Sequence, residues 1–585
     1  MDSAFSTPLL RDVANATRAA LRDLDAPKNG VVLVGEFSDA HPASTIQARL
    51  SAFGLGSPLA GKAATPSTLY ALSGGLARAG IKGRPPVLPP DGIILGSIAA
   101  QAAFAVLLAQ LHRERTGQAV RLDVAALDML LGALDPVFGM MGSATDGRAA
   151  SDIPRGRPSA GRMYPILPCA DGYARLCVLA PRQWQGMFRW LGSPAAFADP
   201  VFETIAARFK SPELWTAIRA LLAERTRDTV EREAAAHGVP AAAVRTVAEA
   251  RSHPHFRSAR TVRFGSPSAE ARPVPLPLRA AGARPLSGLR VLDMGVIVVG
   301  GDGGRLLADY GADVVKVENP AFADGARQAK GGAPMSANFA AGHRNKRSLA
   351  IDLRNPGGMA TFRRLLGRAD VLLSNFKPGT LDKLGLDDGA LAAINPSLVR
   401  VDSSAFGPVG PWAERLGYGP LVRAATGLTE LWRYPDDPDG FCDSATVYPD
   451  HAAARLSAGA ALSLLLRRAR RGVGGRASVS QASLLLDHLA LEVESPPGEV
   501  RARPGDDEWE VVSGDARAPM MRAPDLMMSA HLAARTLLRP TAHPMLEVDP
   551  PNLVRSVHAP WPDPDNRPAP VLGEHTDAVL AEWLA

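Results

Sequence analysis

The chain contains few cysteines, the residues that form disulfides in small secreted domains and often bind metal ions. Its 585 residues include three cysteines, Cys169, Cys177 and Cys442, without CxxC spacing and without histidines at metal-ligand intervals. This scarcity argues against a disulfide framework and against a zinc site. We therefore expect no metal and a reducing compartment, the cytoplasm.

The chain also lacks runs of charge and, with one exception, long apolar runs. Its formal net charge is +6, and Lys and Arg are scattered without interleaved aromatic residues, so nucleic-acid binding is not indicated. No basic region followed by an apolar one opens the chain, so no secretory signal is visible. The exception, Ile93 to Leu111, is about long enough to span a bilayer. Because Ser97, Gln101 and Gln110 interrupt it, we predict a buried helix and no membrane partner.

What the chain does have is length and repetition. Apolar content of 46% and charged content of 21% are typical of a soluble globular protein, and 585 residues exceed what one hydrophobic core usually covers. Residues 404 to 486 look like a diverged second copy of residues 51 to 131. Ser-Ala-Phe-Gly begins at Ser51 and, 353 residues later, at Ser404, while Gly472 follows Gly117 by 355. We interpret this as a tandem duplication.

The two copies differ at one carboxylate. Asp450 lies 22 residues before Gly472, whereas the same count back from Gly117 reaches Leu95. Judged from the residues alone, an aspartate after Pro449 is most often an N-cap for the following helix. If this carboxylate does chemistry, only the second copy can do it.

A glycine-rich turn opens the second copy. From Leu289 a buried strand leads through Gly295 and four further glycines into a helix from Arg305 to Tyr310, and then into the strand Val314 to Glu318. This order predicts a right-handed crossover in a parallel α/β sheet. Glycines let backbone approach a ligand and the helix N-terminus favours anions, but a tight structural turn explains them equally well.

Several segments resemble the family III CoA-transferases, the carnitine/bile-acid-inducible (CaiB/BaiF) type. Together these motifs are highly specific, and the match runs through most of the second copy and much of the first. The segments that carry the resemblance are 285–295, 306–320, 345–354, 375–379, Ser404-Ala-Phe-Gly and the tail 570–580.

The resemblance implies an α/β fold, with a Rossmann-like large domain and a small α+β domain. In this family two subunits interlock, and each active site lies between the large domain of one and the small domain of the other. Since each copy lacks what the other has, we expect a trimmed pseudo-dimer with one complete site, as a monomer or in a homo-oligomer. The expected parts are 1–150, a first-copy large-domain part without the opening strand, glycine turn and helix; 151–265, the small domain; 266–286, a linker; 287–490, the second-copy CoA-binding domain; and 491–585, an irregular segment with a tail returning to the large domain.

The resemblance further implies a CoA-transferase that uses acyl-CoA, or coenzyme A, and a carboxylic acid as substrates and binds no permanent cofactor. Asp450 is then the nucleophile, forming an aspartyl anhydride and an aspartyl-CoA thioester. An acyl-CoA racemase or isomerase with an Asp/His pair stays open, although Gly417-Tyr-Gly-Pro replaces the expected Gly-His-Asp. A degenerate acyl-CoA-binding subunit also stays open. We expect His451 to be a satisfied surface histidine.

Coenzyme contacts follow from the resemblance at matching positions. Three of them are cations, which suit phosphates through charge-assisted hydrogen bonds, although a solvated basic face is the alternative. Gly419 departs from the family pattern, which usually has an acidic residue there. The implied contacts are Ile297, Val298, Asn319, Ile351, Arg354, Asn375, Phe376, Lys377, Lys383 and Tyr418.

Overall fold

The structure is a computed structural model. It describes residues 5–28, 30–81, 83–134, 157, 165–265, 284–328, 335–442, 448–547, 549, 551–553 and 557–585. The domain boundary predicted at residue 150, and all of the predicted linker except 284–286, lie outside the described residues.

The second copy folds as a Rossmann-like domain around a parallel sheet, as predicted. Its strands are short, buried and rich in Val and Leu, as expected where helices cover both faces of a sheet. The elements are β8 (Arg290–Asp293), α10 (Ile297–Asp309), β9 (Asp313–Glu318), α11 (Ala337–Gly342), β10 (Arg347–Ala350), α12 (Pro356–Leu366), β11 (Val371–Ser374), α13 (Thr380–Lys383), α14 (Asp388–Ile394), β12 (Val399–Ser404), α15 (Gly419–Thr426), α16 (Leu428–Leu431), α17 (Asp450–Arg471), β13 (Gly475–Ser480) and α18 (Gln481–His488).

The strand order of this sheet locates a ligand crevice. The six parallel strands run β10-β9-β8-β11-β12-β13, so the winding direction reverses between β8 and β11. In open α/β sheets, ligands bind outside the carboxyl ends of the strands at such a reversal. The crevice therefore lies between the carboxyl ends of β8 and β11, which are Asp293 and Ser374.

The first copy repeats part of this fold. Its strands form a parallel sheet, β1-β2-β3, that corresponds to β11-β12-β13. The elements are α1 (Pro8–Asp23), β1 (Val31–Val34), β2 (Ile46–Ser51), α2 (Pro66–Leu72), α3 (Asp91–Thr116), β3 (Arg121–Ala125) and α4 (Ala126–Leu134).

Local geometry supports the duplication. Gly117 and Gly472 end their helices in the left-handed region, with φ of 73° and 74°, and each N–H donates to an arginine carbonyl four residues earlier at 2.7 Å. The Ser51 hydroxyl accepts from the N–H of Gly54 at 3.0 Å, and Ser404 accepts from Gly407 at 3.1 Å. The two copies therefore share turns as well as strands.

Within the described residues the first copy begins with a helix. Helix α1 packs along α3 as α10 packs along α17, and it covers one face of this long apolar helix. In chain order α1 directly precedes β1, as α12 precedes β11. No strand equivalent to β8 pairs with β1 among the described residues.

Helices α3 and α17 pack against each other at the centre of the molecule. By length and composition α3 is one described helix that could cross a membrane, but its apolar window is entirely buried inside the protein. The side chains of Ser97 and Gln101 are buried with it. The predicted core helix is thus observed.

The small domain has its own hydrophobic core around Trp184, Met187 and Trp190. Residues Val262–Gly265, which we assigned to this domain, instead form a strand antiparallel to β13, because the outer edge of that parallel sheet is otherwise unpaired. The elements are β4 (Ile166–Cys169), β5 (Gly172–Leu176), α5 (Pro181–Trp190), α6 (Ile205–Lys210), α7 (Pro212–Ala223), α8 (Arg227–Ala236), β6 (Ala241–Ala243), α9 (Val247–Ser252) and β7 (Val262–Gly265).

The C-terminal part is more regular than predicted. Residues 499–519 form an antiparallel meander, because alternate side chains such as Val511, Ala516 and Ala518 are buried against the first copy. The last helix packs on the second copy, where Trp583 Nε1 donates to Asp313 at 2.9 Å. The elements are β14 (Glu499–Ala502), β15 (Trp509–Ser513), β16 (Ala516–Pro519), α19 (Ala523–Met527), α20 (Ala530–Ala534), β17 (Leu538–Pro540), β18 (Pro551–Leu553) and α21 (Thr576–Leu584).

Candidate active site

Asp450 is the first residue of α17, and its carboxylate does not cap that helix. Pro449 occupies the N-cap position, and no side chain makes the capping hydrogen bond. The Asp450 side chain instead accepts from Gln481 Nε2 at 3.4 Å. Side-chain capping is therefore not the role of this aspartate, although a carboxylate in the first turn also suits the helix dipole.

The surroundings of Asp450 raise its basicity. Burial, opposed by the nearby charges of His451 and Arg423, raises the pKa of the Asp450 carboxyl to about 6. Such a carboxylate is ionised at neutral pH but poorly solvated. Both properties favour nucleophilic attack, since a desolvated anion is more reactive than a hydrated one.

Tyr448, the residue before Pro449, is held by hydrogen bonds on two sides. The buried Tyr448 hydroxyl is hydrogen-bonded to His488 Nδ1, and the Tyr448 carbonyl accepts from the buried Arg423 guanidinium at 2.8 Å. These contacts fix the start of α17 relative to α15 and α18. The carboxylate of Asp450 is thus presented from a rigid support.

The glycine at 419 now has a steric reason. A Cβ at this position would lie 2.2 Å from Asp450 Oδ2, far inside van der Waals contact. An acidic side chain here would displace the Asp450 carboxylate. With the Asp450 carboxylate in this position, residue 419 has room only for glycine.

The glycine turn between β8 and α10 is tightly built. An added Cβ on Gly300 would lie 2.4 Å from the Cα of Gly295, so neither glycine tolerates a side chain. Asn375 closes the strand reversal, accepting from Val296 N–H at 2.7 Å and donating to the Val296 carbonyl at 2.8 Å. Its predicted role therefore includes a structural one.

Ile297 has an unusual backbone for a β-branched residue. Its φ is 58°, in the left-handed region, where such residues are rare and the strain costs about 1–3 kcal/mol. Its N–H donates to both Asp324 oxygens, at 3.0 and 3.2 Å, and its side chain is 42% exposed. Strain with exposure at the strand reversal is typical of a ligand-binding position.

The other predicted contacts surround the same crevice. Val298 follows Ile297 in α10, Asn319 follows β9, and Phe376 and Lys377 follow β11. Ile351 follows β10, and Lys383 ends α13 as an exposed residue. The structure thus brings Val298, Asn319, Ile351, Phe376 and Lys377 to the carboxyl edge of one sheet, and Lys383 lies further on, at the end of α13.

Tyr418 joins the large domain of the second copy to the small domain. Gln183 Nε2, on α5 of the small domain, donates to the Tyr418 hydroxyl at 2.9 Å. Arg415 also crosses this boundary, bonding the Ala241 carbonyl at 2.9 Å. Asp450, which lies against Gly419, is therefore near the contact between the small domain and the second large domain.

Two of the predicted cations have modest partners. Arg354 lies 3.2 Å from Asp352, with 58% of its side chain exposed, and Lys377 lies 3.7 Å from the exposed Glu414. Exposed pairs of this kind contribute little to stability. Both side chains are free to turn toward a phosphate.

Sequence reasoning missed Phe322. This side chain, on the loop after β9, is 68% exposed, and the Arg354 guanidinium lies 4.6 Å from its ring centroid. The Asn319 side chain donates to the Asp352 carboxylate at 2.6 Å, and this hydrogen bond ties the loop after β9 to the segment after β10. An exposed aromatic face beside predicted coenzyme contacts suits a planar base. A lone phenylalanine in a loop gave no signal in the sequence.

The expectation for His451 is wrong. The residue is 2% exposed, and its Nδ1 lies 2.9 Å from Asp302 Oδ2. Burial would raise the pKa of Asp302, but Arg305 and Arg455 hold it well below its ordinary value. The histidine is buried because this charged cluster joins α10 to α17.

The first copy has no nucleophile at the corresponding place. Leu95 is fully buried within α3. This helix begins one turn earlier than its counterpart, at Asp91, whose carboxylate accepts from Ser67 Oγ at 2.7 Å. Counting back from the glycine had not revealed this carboxylate.

Comparison with known proteins agrees with this fold. A model of CoA-transferase family III matches residues 39–282 and 286–513, and the two segments correspond to the two copies. A probable CoA-transferase of Mycobacterium tuberculosis is 40% identical over 518 residues, 79% of this chain and 65% of that protein. A succinyl-CoA–D-citramalate CoA-transferase of Chloroflexus aurantiacus is 33% identical over 272 residues, 43% of this chain and 66% of that protein.

The chain spans 65% and 66% of the lengths of these two relatives. A solved CaiB/BaiF-family protein from Brucella suis is 24% identical with a TM-score of 0.43, covering 51% of this chain and 99% of that one. The family model, which matches well over half of the residues, gives the assignment. The chain belongs to the family III CoA-transferases.

Proposed function

We propose that this protein moves coenzyme A from an acyl-CoA to a free carboxylic acid, with Asp450 as the nucleophile. The observation that carries the proposal is a carboxylate with a raised pKa at the start of a rigid helix, near the contact between the small domain and the second large domain. Capping would be the usual task of such a residue, and Asp450 does not perform it. The contacts at the strand reversal are suited to the coenzyme.

In the proposed mechanism the carboxylate exchanges partners in four steps. Asp450 attacks the donor thioester carbonyl, forming a mixed anhydride and releasing coenzyme A thiolate. The thiolate attacks the aspartyl carbonyl, giving an aspartyl-CoA thioester and the donor acid. The acceptor carboxylate attacks this thioester, giving a second anhydride and thiolate. The thiolate then attacks the acyl carbonyl, forming the product and restoring Asp450.

Racemisation is less well supported, because it needs an acid–base partner for Asp450. Burial lowers the pKa of His488 to about 3, and this ring is hydrogen-bonded to Tyr448. His451 Nδ1 is occupied by Asp302. His488 is therefore unsuited to proton exchange with a substrate carbon, whereas His451 Nε2 has no hydrogen-bond partner among the described residues. Against a role for His451 stands the missing Gly-His-Asp motif, which Gly417-Tyr-Gly-Pro replaces.

Intact-protein mass spectrometry tests the proposal. Two relatives are named for reactions of succinyl-CoA with D-citramalate and of succinate with glutarate, so succinyl-CoA opens the acyl-CoA panel. We expect a covalent adduct that maps to Asp450 and is absent in Asp450→Ala, with loss of transfer. Transfer by that variant near the wild-type rate would refute the assignment. Coenzyme binding without any adduct or transfer would support a degenerate binding subunit.

A further inference from the structure

A cavity of about 660 Å³ lies in the first copy, away from Asp450. It opens at the carboxyl ends of β1 and β2, beside the start of α1. Its volume lies within the range of about 300–1,000 Å³ that small-molecule sites usually have. Its lining includes Ser6, Thr7, Val34, Gly35 and the loop from Ser51 to Gly54.

This cavity lies beside the place that would correspond to the coenzyme crevice of the second copy. Strands β1 and β2 match β11 and β12, and α1 lies on α3 as α10 lies on α17. Ligands of parallel α/β sheets bind at the carboxyl ends of the strands. The cavity therefore occupies a ligand-binding position of the fold.

The chemistry of transfer is missing here. The Asp91 carboxylate is hydrogen-bonded to Ser67 and does not line the cavity, and Leu95 is buried within α3. A ligand in this cavity would be bound and not converted.

The charges of the lining favour an anion. Arg49 is matched by Glu36 and Asp123, each at 3.1 Å, whereas Lys62 and His41 form no ion pair within the described residues. The first turn of α1, which Thr7 caps by accepting from the Leu10 N–H, contains no acidic residue that would repel an anion. An anionic group is therefore favoured at this end of the cavity.

The remaining walls are apolar. Leu9, Leu10, Val34, Leu50 and Phe53 contribute to the lining. The Lys62 ammonium alone is too little charge for the phosphates of a whole coenzyme, but it suits one carboxylate. We propose that this cavity is a non-catalytic site for a free carboxylic acid with a short apolar chain. Binding here does not depend on Asp450, so the site stands apart from the proposed transfer reaction.

The test uses the full chain as Asp450→Ala, so that no substrate is turned over. Hexanoate is the probe, 1-hexanol is its uncharged control, and binding is measured by calorimetry with coenzyme A saturating the active site. Lys62→Glu removes the cation, and Ala63→Phe fills the cavity from an exposed position. We expect Lys62→Glu to weaken hexanoate binding about tenfold or more, the scale of a hydrogen bond to a charged group. Ala63→Phe should abolish it.

Equal hexanoate affinity in both variants and in the parent would overturn the site. Equal affinity for hexanol and hexanoate would overturn the carboxylate assignment. Coenzyme A transfer is measured with a protein that keeps Asp450 and carries only Ala63→Phe. Because Ala63 lies outside the site around Asp450, this measurement tests the proposed transfer reaction separately. Loss of the hexanoate site with normal transfer supports the proposal.

Discussion

At the scale of single residues, the burial of Asp450 that favours catalysis also has a cost. Its carboxyl has a pKa of about 6 in the folded protein, against an ordinary value near 3.8. A carboxyl with a raised pKa binds its proton more tightly when folded, so the folded state loses stability as pH rises from about 4 through 6. The nucleophile should therefore destabilise the protein at neutral pH.

We predict that Asp450→Asn raises the free energy of unfolding by about 1–3 kcal/mol at pH 8 and by little at pH 4. Thermal unfolding at the two pH values measures the difference. Asp39→Asn, at a side chain that is 95% exposed, is the matched control. A lower stability at pH 8 for Asp450→Asn would mean that the carboxylate is well solvated. Wild-type transfer should also fall as pH drops below about 6.

Phe322 gives a second prediction at this scale. Base–aromatic stacking contributes about 1–3 kcal/mol per base, so Phe322→Ala should weaken coenzyme A binding by about that amount. Phosphopantetheine, which has no adenine, should bind the variant and the wild type equally. Arg354→Ala should cost about 1.5–3 kcal/mol through its charged contact.

Calorimetry measures each affinity, and Met528→Ala, at a side chain that is 85% exposed, is the control for Phe322. If Phe322→Ala weakens phosphopantetheine and coenzyme A alike, the ring does not contact adenine. Lys383→Ala should behave like Arg354→Ala, and dephospho-coenzyme A identifies which cation meets the 3′-phosphate.

At the scale of elements, a buried charge network fastens the C-terminal segment to the first copy. Asp128 on α4 lies 2.9 Å from His531 Nε2 and accepts from Arg535 Nε at 2.7 Å. Burial alone would raise the pKa of Asp128, but hydrogen bonds from His531 and His558, with the charge of Arg535, lower it to about 2. This network explains why a segment expected to be irregular is ordered around α20.

Because the folded pKa of Asp128 is lowered, its contribution is present above pH 4 and is lost as pH falls toward 2. Asp128→Asn leaves Arg535 buried and without this carboxylate, so we predict a loss of about 2–4 kcal/mol at pH 7. Denaturant unfolding at pH 7 and at pH 3 measures this loss and its decline. A loss as small as that of Asp39→Asn would show that the network contributes nothing beyond an exposed ion pair.

At the scale of the whole molecule, the two copies exchange chain segments. Strand β7, which follows the small domain, pairs with β13 of the second copy, and residue His558 pairs with Asp123 at the edge of β3. The β13 edge is thus covered by a strand that follows the small domain, and the β3 edge is met by a one-residue bridge from the C-terminal segment. The two family-model matches are therefore joined within one continuous chain.

This architecture predicts one coenzyme A per chain. The second copy has the glycine turn and the strand reversal, and the first copy has no strand matching β8 among the described residues. Calorimetric titration with coenzyme A should therefore give a stoichiometry of one. Two equivalent sites would mean that the first copy binds the coenzyme despite the missing strand.

The duplication, the parallel sheet and the position of Asp450 could be predicted from the sequence, because each depends on local patterns. Apolar runs, glycine spacing and short motifs are properties of neighbouring residues. The coenzyme contacts could likewise be placed at the carboxyl ends of successive strands, since parallel strands share that edge. Their roles in binding remain predictions.

Only the tertiary structure decided the features that depend on distant partners. Asp91 begins helix α3, and the Ser67 hydroxyl, on α2, donates to its carboxylate and so holds the first turn in place. His451 is buried because Asp302 lies across the interface between two helices, and Phe322 stays exposed in the part of the chain that the structure describes, with only Arg354 over its ring. Burial and charge pairing join residues far apart in the chain. Local sequence patterns do not contain that information, so the fold had to bring these groups together.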